Sequence, residues 1–149
     1  QIFQFPRNQT ILKKVAQLYF NMKLNKIHHI AIIVSDYAKS KHFYTEILGL
    51  DILKETFREA RNSYKLDLAL NGQYIIELFS FPDYVPRPSY PEALGLRHLA
   101  FEVDDIEQAA FELQAHNIPT EPIRIDEITG KRFFFFTDPD GLPLEFYEK

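Results

Sequence analysis

The chain is 149 residues long, enough for one domain or for two small modules sharing a core. Almost half of it is apolar, with 14 Phe and 8 Tyr, so burial is plentiful, and the formal charge of −4 argues against a nucleic-acid partner. The absence of cysteine excludes disulfides, thiolate metal sites and a cysteine nucleophile; no apolar run approaches the roughly 18 residues that a spanning helix requires, so the expectation is a soluble cytoplasmic protein with no membrane partner.

Residues 1–21 precede the only methionine, Met22. Ile11, Val15, Leu18 and Met22 fall at helical spacing, with Asn8 or Thr10 as a cap. This stretch reads as an N-terminal extension, either an amphipathic helix or residues lying ahead of a natural start at Met22. Residues 22–149 are expected to form a single domain: module one over 24–81, a linker over 82–96 and module two over 97–149.

In module one, Ile27–Val34 reads as a short buried strand. Ser35 and Asp36 are N-cap types for a helix that starts at Tyr37 and stops at Gly49. Leu50–Phe57, Ser63–Leu70 and Gln73–Phe81 read as strands, the last two joined at Asn71-Gly72, a tight-hairpin signal. Four prolines within Pro82–Pro91 exclude a central strand or a helix interior. This linker can also cover a site, with Tyr84, Arg87 and Tyr90 as candidate contacts.

Module two repeats the order. Arg97–Val103 is a strand, Asp104 or Asp105 a cap, and Ile106, Ala109, Ala110 and Leu113 mark a helix ending at His116-Asn117. Strands follow near Thr120–Ile125, Lys131–Thr137 and Pro143–Tyr147, the last two joined by Asp138-Pro139-Asp140-Gly141, which fits a type I turn. The fold class is therefore α+β: two tandem βαβββ modules, expected as a curved, mixed sheet of eight strands around a metal site.

The metal expectation comes from a repeat. His29-Ile30-Ala31-Ile32-Ile33-Val34-Ser35-Asp36 returns as His98-Leu99-Ala100-Phe101-Glu102-Val103-Asp104-Asp105, with His, Ala, Val and Asp in matching places. Ile76-Glu77-Leu78 and Leu144-Glu145-Phe146 follow at nearly one interval, 48 positions from His29 and 47 from His98. Side chains alternate along a strand, so the apolar set faces the helix while His29 and His98 face away from it. A carboxylate in mid-strand between large apolar residues is costly to bury unless paired or liganded. Two imidazoles and two carboxylates satisfy that condition together around a divalent cation, which makes His29, Glu77, His98 and Glu145 the candidate ligands. His28 falls on the opposite face by the same alternation, and His42 and His116 fall on helices and read as structural.

Ile27-His28-His29-Ile30-Ala31-Ile32, Phe43-Tyr44-Thr45-Glu46-Ile47-Leu48-Gly49-Leu50, Ile76-Glu77-Leu78, Arg97–Asp104 and Asp138-Pro139-Asp140-Gly141 through Glu145 resemble the vicinal oxygen chelate (glyoxalase/bleomycin resistance/dioxygenase) superfamily over residues 24–148. The His/Glu/His/Glu set is most similar to glyoxalase I and its short bacterial relatives. Epimerases of that superfamily typically place Gln at the Glu77 position, and its dioxygenases and fosfomycin enzymes use two His and one Glu. The resemblance implies a metal-dependent lyase or isomerase, with Zn, Ni, Co or Mn as cofactor. Its proton transfer runs through a metal-stabilised enediolate, with Glu145 as base and Glu77 as the second ligand or a partner in the shuttle. It also implies a homodimer in which the four ligands come from one chain or from two. Glutathione-type enzymes carry Arg and Asn where this chain has Ile33 and Phe81. Glutathione would then be held by Arg87, Arg97, Arg124 or Arg132, or the substrate is different and more apolar. The alternatives are another metalloenzyme of the superfamily (dioxygenase, epimerase or thiol transferase) or a non-catalytic small-molecule binding protein.

Overall fold

The computed structural model describes residues 23–149, so the expectations for the extension 1–21 lie outside the described residues. In chain order the elements are β1 (Ile30–Val34), α1 (Tyr37–His42, running on into a π-turn over Phe43–Ile47), β2 (Asp51–Arg58), β3 (Ser63–Leu70), β4 (Gln73–Ser80), β5 (Leu99–Val103), α2 (Ile106–Ala115), β6 (Arg124–Ile125), β7 (Arg132–Thr137) and β8 (Pro143–Glu148). The eight strands form two separate four-stranded mixed sheets, ordered β1-β4-β3-β2 and β5-β8-β7-β6. The strand order of one module is the strand order of the other. The expected strands are thus divided between two sheets, with no ladder joining them among the described residues.

Local chemistry accounts for the boundaries. The Asp36 carboxylate accepts from Lys39 N at 3.0 Å, and the Asp105 carboxylate accepts from Glu107 N and Gln108 N, so each helix starts at a capped end. Asn71 and Gly72 have φ of 51° and 75°, the pair of positive values that a tight two-residue hairpin demands. β6 is only two residues long, where the sequence predicts Thr120–Ile125. Pro119 and Pro122 remove two backbone donors just ahead of it.

The core is one contiguous cluster that draws on both modules. It includes Ile32, Val34, Leu66, Leu68, Ile76 and Leu78 from the first and Phe101, Ile106, Leu113, Phe134 and Leu144 from the second. Each fully buried aliphatic side chain contributes about 1.5–3 kcal/mol of apolar transfer. Polar contacts join the modules as well: the buried Tyr44 hydroxyl donates to Asp138 Oδ2 at 3.0 Å, while Ser35 N and Oγ both donate to the Asp140 carboxylate. These contacts seat the β7–β8 turn against the end of β1. No helix among the described residues is long and apolar enough to cross a membrane.

Burial pushes the Asp138 carboxyl above its usual range, against hydrogen bonds from Leu142 N, Tyr44 and Asp140 N that pull it down. A carboxyl raised by folding contributes fully below its unfolded pKa and loses that contribution as pH rises through the folded value. Asp138→Asn should therefore gain stability relative to wild type as pH rises from about 4, by at most about 1.4 kcal/mol per pH unit. Paired urea titrations across that range check this, and a difference independent of pH would contradict it.

Candidate metal centre

Two registers position the candidate ligands. Parallel pairing sets Ala31 opposite Glu77 in the first sheet and Ala100 opposite Glu145 in the second. In both cases the histidine two residues before the alanine lies on the same face as the glutamate. His29 Nε2 stands 3.4 Å from Glu77 Oε2, and His98 Nε2 stands 3.1 Å from Glu145 Oε2. Both glutamates are only 9% exposed, and both histidines are partly open to solvent. The repeat thus places one imidazole beside one carboxylate in each module, on the sheet face away from the helix.

A bulge aims Glu77. The β3–β4 ladder shifts register between Leu68 and Ala69, which sets Asp67 opposite Glu77 and Lys65 opposite Phe79. Counting straight back from the Asn71-Gly72 turn would put Glu77 opposite Leu66, on the helix-facing side; the inserted residue reverses that. Glu77 therefore shares a face with Lys65, whose Nζ lies 2.6 Å from both Glu77 Oε1 and Asp67 Oδ1. The Tyr74 hydroxyl donates to Glu77 Oε1, and its ring stacks on His29 with centroids 5.2 Å apart. Burial alone would raise the Glu77 carboxyl, but Lys65, Tyr74 and His29 together hold it below the usual range. Desolvation and the same carboxylate push the Tyr74 phenol up.

The second pair is less encumbered. Among the described residues His98 is the polar partner of Glu145, and the Phe135 ring stands edge-on to the His98 imidazole, centroids 5.1 Å apart. One carboxylate is clamped from three sides and the other is held from one.

Some expected positions move. Alternation puts His28 opposite His29, yet the Nδ1 atoms of the two rings are 2.8 Å apart and both rings touch Tyr74. The reason is that β1 begins at Ile30, so alternation does not extend back to His28. One Nδ1 donates to the other, which fixes the His29 ring beside Glu77. His42 and His116 are exposed at the ends of their helices. Among the described residues no group of three or more His, Asp or Glu is arranged to hold a metal ion, so the four candidates make two pairs rather than one set. The chemistry of each pair suits a borderline divalent ion, but two donors are half of the four such an ion normally takes.

The linker covers another part of β1. Tyr84 and Arg87 line a cavity of about 670 Å³ together with Ala31 and Ile33, whereas Tyr90 stands in solvent. Arg87 donates to Leu96 O and Arg97 O, bracing the entry to β5 just ahead of His98. Arg97 pairs with Glu92, and Arg132 is occupied by Glu148 and Glu107. Of the four arginines expected as anion contacts, Arg124 lies on the face of the second pair, over the rings of Phe133 and Phe135, and Arg87 lines the cavity beside Ala31 and Ile33. Sequence reasoning missed Lys65 and Tyr74, which attend the first pair, and Arg58, which lies over Phe79 and Phe81 on the same face. The alternation of Lys65 and Asp67 with Leu66 and Leu68 was the available signal for the first of them.

Residues 26–146 match the glyoxalase/bleomycin resistance protein/dioxygenase superfamily. The chain is 64% identical over 126 residues to the protein YaeR of Escherichia coli (strain K12), covering 85% of this chain and 98% of that one. It is 35% identical over 124 residues to the metallothiol transferase FosB of Staphylococcus epidermidis, with 81% of each chain covered. The crystal structure of a glyoxalase family protein from Enterococcus faecalis superposes with a TM-score of 0.77 at 50% identity, covering 87% of this chain and 99% of that one. The repeated βαβββ topology and the extent of these matches place the chain in the glyoxalase/bleomycin resistance protein/dioxygenase superfamily.

Proposed function

We propose that this protein is a metal-dependent lyase or isomerase of the glyoxalase I type, active as a homodimer. The observation that carries the reading is the duplicated pairing of His29 with Glu77 and of His98 with Glu145, each on an open sheet face. His29 and Glu77 from one chain, with His98 and Glu145 from another, would hold one ion. When bound, a divalent cation such as Zn, Ni, Co or Mn polarises substrate oxygens and so acidifies a neighbouring C–H. The open faces also expose apolar surface to cover, with Ile33 56% exposed beside Ala31.

The two glutamates divide the work by their surroundings. Glu77 has Oε1 engaged by Lys65 and Tyr74 and Oε2 by His29, so it is a fixed, charged donor. Glu145 has His98 as its polar partner, which leaves its carboxylate able to take a proton from one carbon and return it to the next. Only 9% exposed and opposite Phe135 on the ladder, it works at a face from which water is partly excluded. Phe79 and Phe81 stack on each other beside Ile33, where glutathione-type enzymes carry polar contacts, and this favours a substrate other than the glutathione adduct. The 35% identity to a metallothiol transferase favours a second reading, thiol transfer at the same metal set.

Elemental analysis after native purification should find close to one divalent ion per chain, restored by reconstitution after chelation. Metal that stays at trace level in both preparations would remove the metalloenzyme reading. His29→Ala and His98→Ala should each lose tight metal binding. Mixing and refolding the two variants should recover binding at one site per heterodimer, since each partner then supplies the missing pair. Failure of the mixture to recover it would place all four ligands in one chain. Glu145→Gln should keep the ion and lose about 10²–10⁴ of turnover on an α-hydroxycarbonyl thiol adduct, and retained turnover would exclude Glu145 as the base.

A further inference from the structure

Each pair-bearing face carries a second repeated feature that the metal reading does not use. In module two, the guanidinium carbon of Arg124 lies 5.0 Å from the centroid of Phe133 and 5.4 Å from that of Phe135. Phe135 is the ring that stands against His98 and pairs across the ladder with Glu145. In module one, Arg58 lies 4.7 Å from Phe79 and 5.5 Å from Phe81, the stacked rings that follow Glu77 along its face. In both halves an arginine from the outermost strand is laid across two phenylalanines on the glutamate's face, along the glutamate's own strand in module one and on the neighbouring strand β7 in module two. We infer that Arg58 and Arg124 are the seats for the anionic end of the substrate, a carboxylate or phosphate, whose other end presents vicinal oxygens to the metal set. This inference rests on the proposed metal chemistry and adds the substrate class to it.

A guanidinium lying on aromatic faces keeps its edge, where the N–H donors are, available for an anion, and the rings fix its plane. Arg58 donates through Nε and Nη2 to the buried Ser63 hydroxyl, which leaves Nη1 unengaged, and no carboxylate among the described residues pairs with it. Arg124 pairs with Glu121 at 2.8 Å, but both side chains are half in solvent, so that bond is weak and exchangeable. Arg132, by contrast, is consumed by two carboxylates on the other side of its sheet. Lys65 is likewise spent on Asp67 and Glu77. The shelf between cation and metal pair is apolar, formed by Phe79 and Phe81 in one half and Phe133 and Phe135 in the other. An anion with a short hydrocarbon body matches this order of surfaces better than a large polar peptide does.

Calorimetric titration of the metal-reconstituted full chain with three hydroxamates tests this. Acetohydroxamate offers only the two chelating oxygens, succinohydroxamate adds a carboxylate and phosphoglycolohydroxamate adds a phosphate. Wild type should bind at least one of the charged probes about tenfold or more tightly than the neutral one; which of the two it prefers identifies the anion. Arg124→Leu and Arg58→Leu should erode that preference and leave acetohydroxamate affinity within about twofold, and unchanged far-UV circular dichroism establishes that both variants fold. Raising salt should weaken only the charged probes in wild type, a readout that needs no variant. Equal affinity for neutral and charged probes, or full preference in both leucine variants, would overturn the inference while leaving the metal site standing. Failure of all three to bind would instead overturn the metal reading, and this inference with it.

Discussion

The constraint on which the site depends is the register of two parallel strand pairs. β1 lies beside β4 and β5 beside β8, so that an alanine two residues beyond each histidine meets a glutamate on the neighbouring strand. That one alignment, made twice, brings an imidazole within 3.1–3.4 Å of a carboxylate that is otherwise almost out of water. A slip of one residue in either pair would turn the glutamate into the apolar layer under the helix, where nothing could neutralise it. The helices take their place from the same alternation: Ile32 and Val34 pack below β1 while Ala31 and Ile33 stay open above it. The face left open carries the chemistry.

Much of this was legible in the chain because the protein states it twice. A lone strand histidine or a lone mid-strand glutamate means little, but two of each at nearly equal intervals, each His followed by Ala, Val and Asp, restrict the interpretations sharply. The element order, the capped helices and the Asn71-Gly72 hairpin were visible for a similar reason, since each is written in local residues with one conformational use.

The rest was hidden because it depends on ladders and not on local residues. The bulge near Leu68 and Ala69 has no sequence mark, yet it decides that Glu77 shares a face with Lys65 and Asp67. His28 sits just before the first strand, where alternation no longer governs direction, and its ring meets His29 instead of turning away. The division of eight strands into two sheets, and of four candidate ligands into two pairs, is a property of how the modules pack. Ile33 and Phe81 were visible as apolar departures from the glutathione pattern. That Phe81 belongs to a stacked shelf carrying Arg58 emerges only with the strands in place.

The central claim is that the two pairs meet at one ion. X-ray absorption of the zinc- or cobalt-loaded protein addresses it directly, because each pair can supply one imidazole only. Nitrogen and oxygen scatterers with two imidazole rings per ion, at one ion per chain, are expected. A single imidazole per ion, with two ions per chain, would mean that the pairs act separately and would contradict it.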